Sequence, residues 1–159
     1  MKRLLALVLA SFALCACNSG IQETPEQLAI QSVYGINSKV IDGSKTAAEV
    51  VAKLQSVRLN ACPAVFVDSF RDYIKAWEKM SEIEKKMYAV NMQKAASDMA
   101  SYMDTYAGKP QEAAVQLKAK WPTFAEEIDK ANSAITKAFT DLQVVGSRYN
   151  AVYSNGGLF

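Results

Sequence analysis

Apolar residues recur along this chain in alternating steps of four and three, the spacing that keeps side chains on one face of an α-helix. Phe66, Phe70, Tyr73, Trp77 and Met80 form one such row. Tyr88, Met92, Ala95, Met99, Tyr102 and Tyr106 form a second, and Phe124, Ile128, Ala131, Ile135, Ala138, Leu142, Val145, Tyr149 and Val152 a third. The third row predicts a helix from Thr123 to Tyr153, about 45 Å long at 1.5 Å per residue, with Gly146 as its only weak point. Polar and apolar residues nowhere alternate over a sustained run, so strands lack support.

The first two rows are out of phase. Extending the first beyond Met80 brings Glu84, Asn91 and Lys94 onto the apolar side, so the helix must kink or break between Met80 and Tyr88. No Gly or Pro lies between Pro63 and Gly108. A tight reversal there lacks turn chemistry, and the expected solution is a kink or short offset near Ser81, which opens a weak capping pattern with Glu84. Shorter helices are expected from Thr46 to Val57, with Ala47, Val50, Val51 and Leu54 inward, and from Pro25 to about Tyr34. Gly35, Asn37, Asp42 and Gly43 mark a loop, and Gly108-Lys109-Pro110 a helix stop and restart. All four prolines stand where helices can begin, and Thr24 to Gln27, Thr46 to Glu49 and Thr123 to Glu126 have the spacing of capping boxes. The fold class is therefore all-α: an up-and-down bundle of about three long helices, one kinked or broken, plus one or two short helices at its end.

The N-terminus carries a different pattern. Lys2 and Arg3 precede an apolar run from Leu4 to Ala16 broken only by Ser11, too short to cross about 30 Å of hydrocarbon and typical of a signal peptide. Its end, Leu14-Cys15-Ala16-Cys17, resembles the lipobox of bacterial lipoproteins. The resemblance implies that residues 1–16 are removed and that Cys17 is lipidated on sulfur and acylated on its new amino group. Three acyl chains exceed the two signals that stable membrane anchoring needs. Asn18, rather than Asp, matches the enterobacterial pattern for delivery to the outer membrane. The expected organisation is signal peptide 1–16, lipidated Cys17 with a short polar spacer to residue 24, a helical domain over 25–153, and a flexible tail over 154–159. The expected location is the cell envelope, lipid-anchored at the outer membrane on its periplasmic or surface face.

Composition narrows the chemistry. Of the eighteen Lys and Arg against sixteen Asp and Glu, Lys2 and Arg3 leave with the signal, so the mature charges balance and nothing favours nucleic acid. The absence of histidine excludes Ser-His-Asp and Cys-His catalysis and His-ligated zinc. No catalytic residue, cofactor or metal site is expected, and the protein is read as a non-enzyme. Met80, Met87, Met92, Met99 and Met103 could offer thioethers to Cu(I), but only Met99 and Met103 lie one turn apart, and adaptable core filling is the simpler role. The carboxylates alternate with lysines at helical spacing, as on solvated faces.

Cys62 is the one remaining candidate. Its place just before Pro63 suggests the N-cap of the first long helix, where the helix dipole could favour a reactive thiolate; the alternative is a small buried residue at a helix entry. Cys62-Pro63, Phe66, Phe70, Ile74 and Ala76-Trp77 together resemble a pattern in uncharacterised exported bacterial proteins, in which a histidine stands where this chain has Tyr73. That resemblance implies no function. Two functional classes follow. The first is a lipid-anchored, non-enzymatic binding or accessory module that holds a protein partner in the envelope, for assembly, immunity or exclusion, or secretion. The second is a ligand-binding or redox-active lipoprotein using the Met- and Tyr-rich core or Cys62.

Overall fold

A computed structural model describes residues 23–153. The signal peptide, the lipobox with Cys17, and the tail over 154–159 lie outside the described residues. Within them the chain forms helices α1 (Pro25–Asp42), α2 (Ala47–Gln55), α3 (Ala64–Val90), α4 (Met92–Tyr106), α5 (Pro110–Lys120) and α6 (Ala125–Ser147), with a single 3-10 turn at Pro122–Phe124 before α6. The described residues contain no strand. No helix among them is long and apolar enough to cross a membrane.

Cross-helix contacts fix the direction of each element. Phe66 of α3 meets Tyr34 of α1 edge to face at 5.8 Å, while Glu84, near the other end of α3, reaches the start of α2 at Ala48. Gln55 at the end of α2 bonds back to Glu78. Trp77 meets Tyr106 at 5.0 Å, Lys118 pairs with Asp129, and Lys86 with Glu127, whereas Tyr73 meets Phe139. Successive helices therefore alternate in direction, and the up-and-down bundle expected from the apolar rows is the fold. The antiparallel pair α3 and α6 forms its spine. One half of the spine is covered by α1 and α2, the other by α4 and α5, and the two halves meet where α1 approaches the turn between α4 and α5.

Two of the three capping boxes do part of their work. Thr24 Oγ1 accepts from the Gln27 amide and Thr46 Oγ1 from the Glu49 amide, each at 3.1 Å. Gln27 does not return to its cap; its Nε2 donates to Asn150 O at 3.1 Å, tying α1 to the chain beyond α6. At Thr123 no box forms, because Pro122 opens a 3-10 turn and α6 begins at Ala125 without a side-chain cap.

Three boundaries differ from the sequence reading. Helix α1 does not stop near Tyr34 but runs to Asp42, through Gly35. Ile30, Val33, Tyr34, Asn37, Val40 and Ile41 continue one buried stripe, and burial along that stripe outweighs the cost of about 1 kcal/mol for a helical glycine. Helix α3 shows no break near Ser81; it is continuous to Val90 and the chain breaks at Asn91 alone, with φ −156° and ψ 101°. Asn91 makes the break with its own chemistry, since its side chain accepts from the Lys94 amide at 3.0 Å and caps α4. Glu84 stays in register as a buried residue, so the continuous helix meets the phase conflict by burying a carboxylate. Met92, expected inside, follows the break and is 69% exposed, with Val90 exposed on the other side of Asn91.

Helix α6 ends at Ser147, short of the expected Tyr153. Asn150 adopts φ 57°, its amide bonds Ser147 O, and the Ala151 amide bonds Gly146 O at 3.1 Å, the double closure of a Schellman motif. Val152 is consequently outside the helix and exposed, whereas Tyr153 folds back onto Phe139 and Tyr34 at 4.9 and 5.4 Å.

The core follows the predicted rows closely. Phe66, Phe70, Tyr73, Trp77 and Met80 are all buried, as are Ala95, Met99, Tyr102, Ile128, Ala131, Ile135 and Leu142. Met80, Met87, Met99 and Met103 fill space within this core.

Candidate functional site

Two concavities stand apart from the solvated helix faces. The larger is a groove of about 610 Å³ between the end of α2, the segment that follows it, and the first turns of α3. Leu54, Val57, Leu59, Val67 and Ile74 make an apolar floor, with Arg58 and Arg71 at its edges. Arg71 is paired with Asp68 at 3.2 Å on the exposed face of α3; Arg58 has no carboxylate partner among the described residues. Pro63, with its extended backbone and no amide hydrogen, stands at the N-cap of α3.

The smaller is a cavity of about 180 Å³ where the two halves of the bundle meet. Asn37 and Ile41 from α1, Tyr73 from α3, Tyr106 and Gly108 at the end of α4, Pro110 from α5, Phe139 and Gln143 from α6, and Tyr153 surround it. Asn37 is buried in the apolar stripe of α1, and its Oδ1 has no hydrogen-bond partner. Trp77 Nε1, behind Tyr73 and Tyr106, is likewise buried and unpartnered. Each such group costs about 1–3 kcal/mol where it is left unsatisfied. Burial pushes the Tyr73 hydroxyl well above its ordinary range, and Asn37 and Trp77, close but outside hydrogen-bond geometry, only partly offset this. Tyr106 is raised by burial in the same way. The cavity is therefore lined by neutral groups.

Elsewhere the buried polar groups are satisfied and structural. Burial raises the Glu84 carboxyl, which the Ala47 and Ala48 amides only partly offset, the latter donating to its Oε2 at 3.1 Å, so Glu84 serves as a side-chain acceptor for the start of α2. At Asp98 burial also acts upward, yet Lys94, Lys120 and the Trp121 indole all donate to it, at 2.9, 3.0 and 2.9 Å, and hold its pKa below the usual range. Lys94 lies over the Trp121 ring at 3.8 Å, which locks the start of α4 to the end of α5. Tyr34 donates to Leu142 O at 3.1 Å, and burial pushes its hydroxyl up to about 12.

Cys62 does not occupy the position its sequence context suggests. Pro63 is the N-cap residue of α3, leaving Cys62 one residue outside the helix, half-buried against the core, and burial pushes its thiol up rather than down. The geometry thus opposes a thiolate at this residue. Of the residues at these two concavities, Asn37 sits in a stretch whose Gly and Asn residues suggest a loop, and nothing in the sequence pattern marks the groove between Arg58 and Arg71. Asn37 had one available clue, a polar residue at the buried position of an apolar stripe. Comparison of the chain with protein-family models, with curated proteins and with solved structures returns no match.

Proposed function

We propose that this protein is a non-enzymatic binding module of the cell envelope, anchored through acyl chains on Cys17, that holds a partner protein close to the lipid surface. The groove between α2 and α3 carries this reading, because an apolar floor edged by two guanidinium groups suits an extended, acidic and apolar segment of another protein. Arg58 supplies a charge free to pair, and the partly exposed Val57, Leu59 and Val67 supply the apolar contacts. A balanced overall charge leaves specificity to this local arrangement.

The test is in-cell photo-crosslinking from Asn60, at the groove edge. A discrete protein adduct is expected, and it should be lost in an Arg58→Glu, Arg71→Glu double variant while a crosslinker at Val115, on the exposed face of α5, gives none. An adduct indifferent to the double charge reversal, or no adduct from Asn60, overturns the reading. The tether is checked separately: Cys17→Ser should move the protein from the membrane to the soluble fraction.

A further inference from the structure

We infer that two copies of this chain exchange α4 to α6 about Asn91 to form a domain-swapped dimer, in which α3 and α4 of each copy become one straight helix. The hinge is a single residue between a helix of 27 residues and one of 15. A hinge that short is relieved when the chain runs straight on and its far half packs on a second copy. Nothing in the sequence opposes the straight form, because no Gly or Pro lies between Pro63 and Gly108. The joined helix runs from Ala64 to Tyr106, about 65 Å.

The apolar pattern is the second observation. Tyr88, Met92, Ala95, Met99, Tyr102 and Tyr106 keep helical steps of four and three across Asn91 without a change of phase, yet the corner throws Met92 out to 69% exposure. A row of that spacing lies on one face only where Asn91 is itself helical. In the straight helix Tyr88, Ala89, Met92 and Ala96 share one side; in the single chain Ala89, Met92 and Ala96 are exposed and Tyr88 is half-buried. The two long helices of the exchanged pair run antiparallel past each other at this point, and these residues meet their own counterparts across the two-fold axis.

The backbone favours the same change. As at any helix boundary, the corner leaves amides at the start of α4 and carbonyls at the end of α3 without helical partners. Straightening pairs Met92 with Tyr88, Gln93 with Ala89 and Lys94 with Val90; the bond given up is the Asn91 side-chain cap on the Lys94 amide. The other contacts are conserved. Phe139 on Tyr73, Tyr106 on Trp77, Glu127 on Lys86 and the Tyr34 hydroxyl on Leu142 O all join residues on opposite sides of position 91, and form between copies as they do within one. The groove residues, Leu54 to Ile74, all precede the hinge, so each lobe keeps its groove and the inference does not rest on the function proposed for it.

The experiment uses full chains in detergent micelles, one carrying Lys86→Cys and the other Glu127→Cys, both with Cys62→Ser. Neither can link positions 86 and 127 within one chain. The two are mixed in urea, refolded together at high concentration and oxidised, and disulfides are mapped by peptide mass spectrometry. A link between positions 86 and 127 is expected in a species of dimer mass that persists on dilution, since its return to monomer requires both lobes to open. Asn91→Ala in both chains removes a cap that only the closed form uses, once per copy, and should raise the association constant by about thirtyfold. A pair of glycines inserted after Asn91 interrupts the straight helix and slackens the corner, and should leave folded monomers without the link. Absence of the link with the native hinge, or a yield unchanged by the inserted glycines, would overturn the inference. So would a folded Asn91→Ala chain that associates no more strongly than the native one; should that variant not fold, the other two arms decide.

Discussion

A methyl group at position 146 would overlap the hydroxyl of Tyr34, which packs over this turn of α6 and donates to Leu142 O. Replacing a helical glycine by alanine ordinarily stabilises by about 1 kcal/mol. Gly146→Ala is instead expected to lose about 2–3 kcal/mol, because either the ring or the helix must shift in a packed core. Urea denaturation measures it, and Tyr34→Phe in the same chain should recover part of the loss by removing the overlapping oxygen. A net gain for the single variant would mean that α1 and α6 are less closely packed than described. Gly146 thus reads in the sequence as a flaw in the third row and in the structure as the reason α1 can approach. The same reversal applies to Asn37 and Glu84. Each interrupts an apolar row, one taken for a loop and the other for a kink, although both rows continue through them; hydrophobic periodicity tells which face is buried but not which polar residue the fold will bury with it.

At the level of helices, the rows specified membership well and boundaries poorly. The apolar rows on α3, α4 and α6 are buried or, at Tyr88, Tyr106, Ala138 and Val145, partly buried where the row lies within one helix, and the exposed members fall where a row crosses a break, at Met92 and Val152. The break at Asn91 is illegible from Gly and Pro alone, because a single extended Asn can end one helix and cap the next. Asn91→Ala keeps every core contact and removes only the cap on the Lys94 amide. It should cost about 1 kcal/mol, with Asn91→Asp close to wild type, measured as the shift in urea midpoint at constant m-value. If Asn91→Ala were neutral, the corner would be set by tertiary packing alone. The groove was illegible for a different reason: Arg58 and Arg71 are separated by an irregular segment whose path no periodicity encodes.

Two buried carboxylates of opposite behaviour shape the stability of the whole molecule. Asp98 has its folded pKa depressed, so its contribution is present above the unfolded value of about 3.9 and is lost as the pH falls through the folded value. Glu84 has its folded pKa raised, so its contribution is present below the unfolded value of about 4.3 and is lost as the pH rises through the folded value. Asp98→Asn should therefore cost about 1–2 kcal/mol at neutral pH and converge on wild type in acid. Glu84→Gln should show its smallest difference from wild type in acid, where the native side chain is itself protonated. Denaturation of both variants across the acid range checks the pair; parallel curves would mean that neither group is linked to folding as its surroundings require.

The hydrogen bond from Gln27 to Asn150 places the two ends of the described chain side by side. Helix α3 starts at Ala64, with Phe66 packed on Tyr34 of α1, and runs 27 residues to the Asn91 corner, a span of about 40 Å. With the proposed tether ahead of Thr24, the protein would stand on the lipid by that end, and Val90 and Met92 would be the tip of a post whose height is set by one helix. Under that tether, lengthening α3 and α6 by matched turns would raise the tip in steps of about 5.4 Å per turn without altering the base, so the reach of the bundle from the membrane could be adjusted independently of the proposed groove.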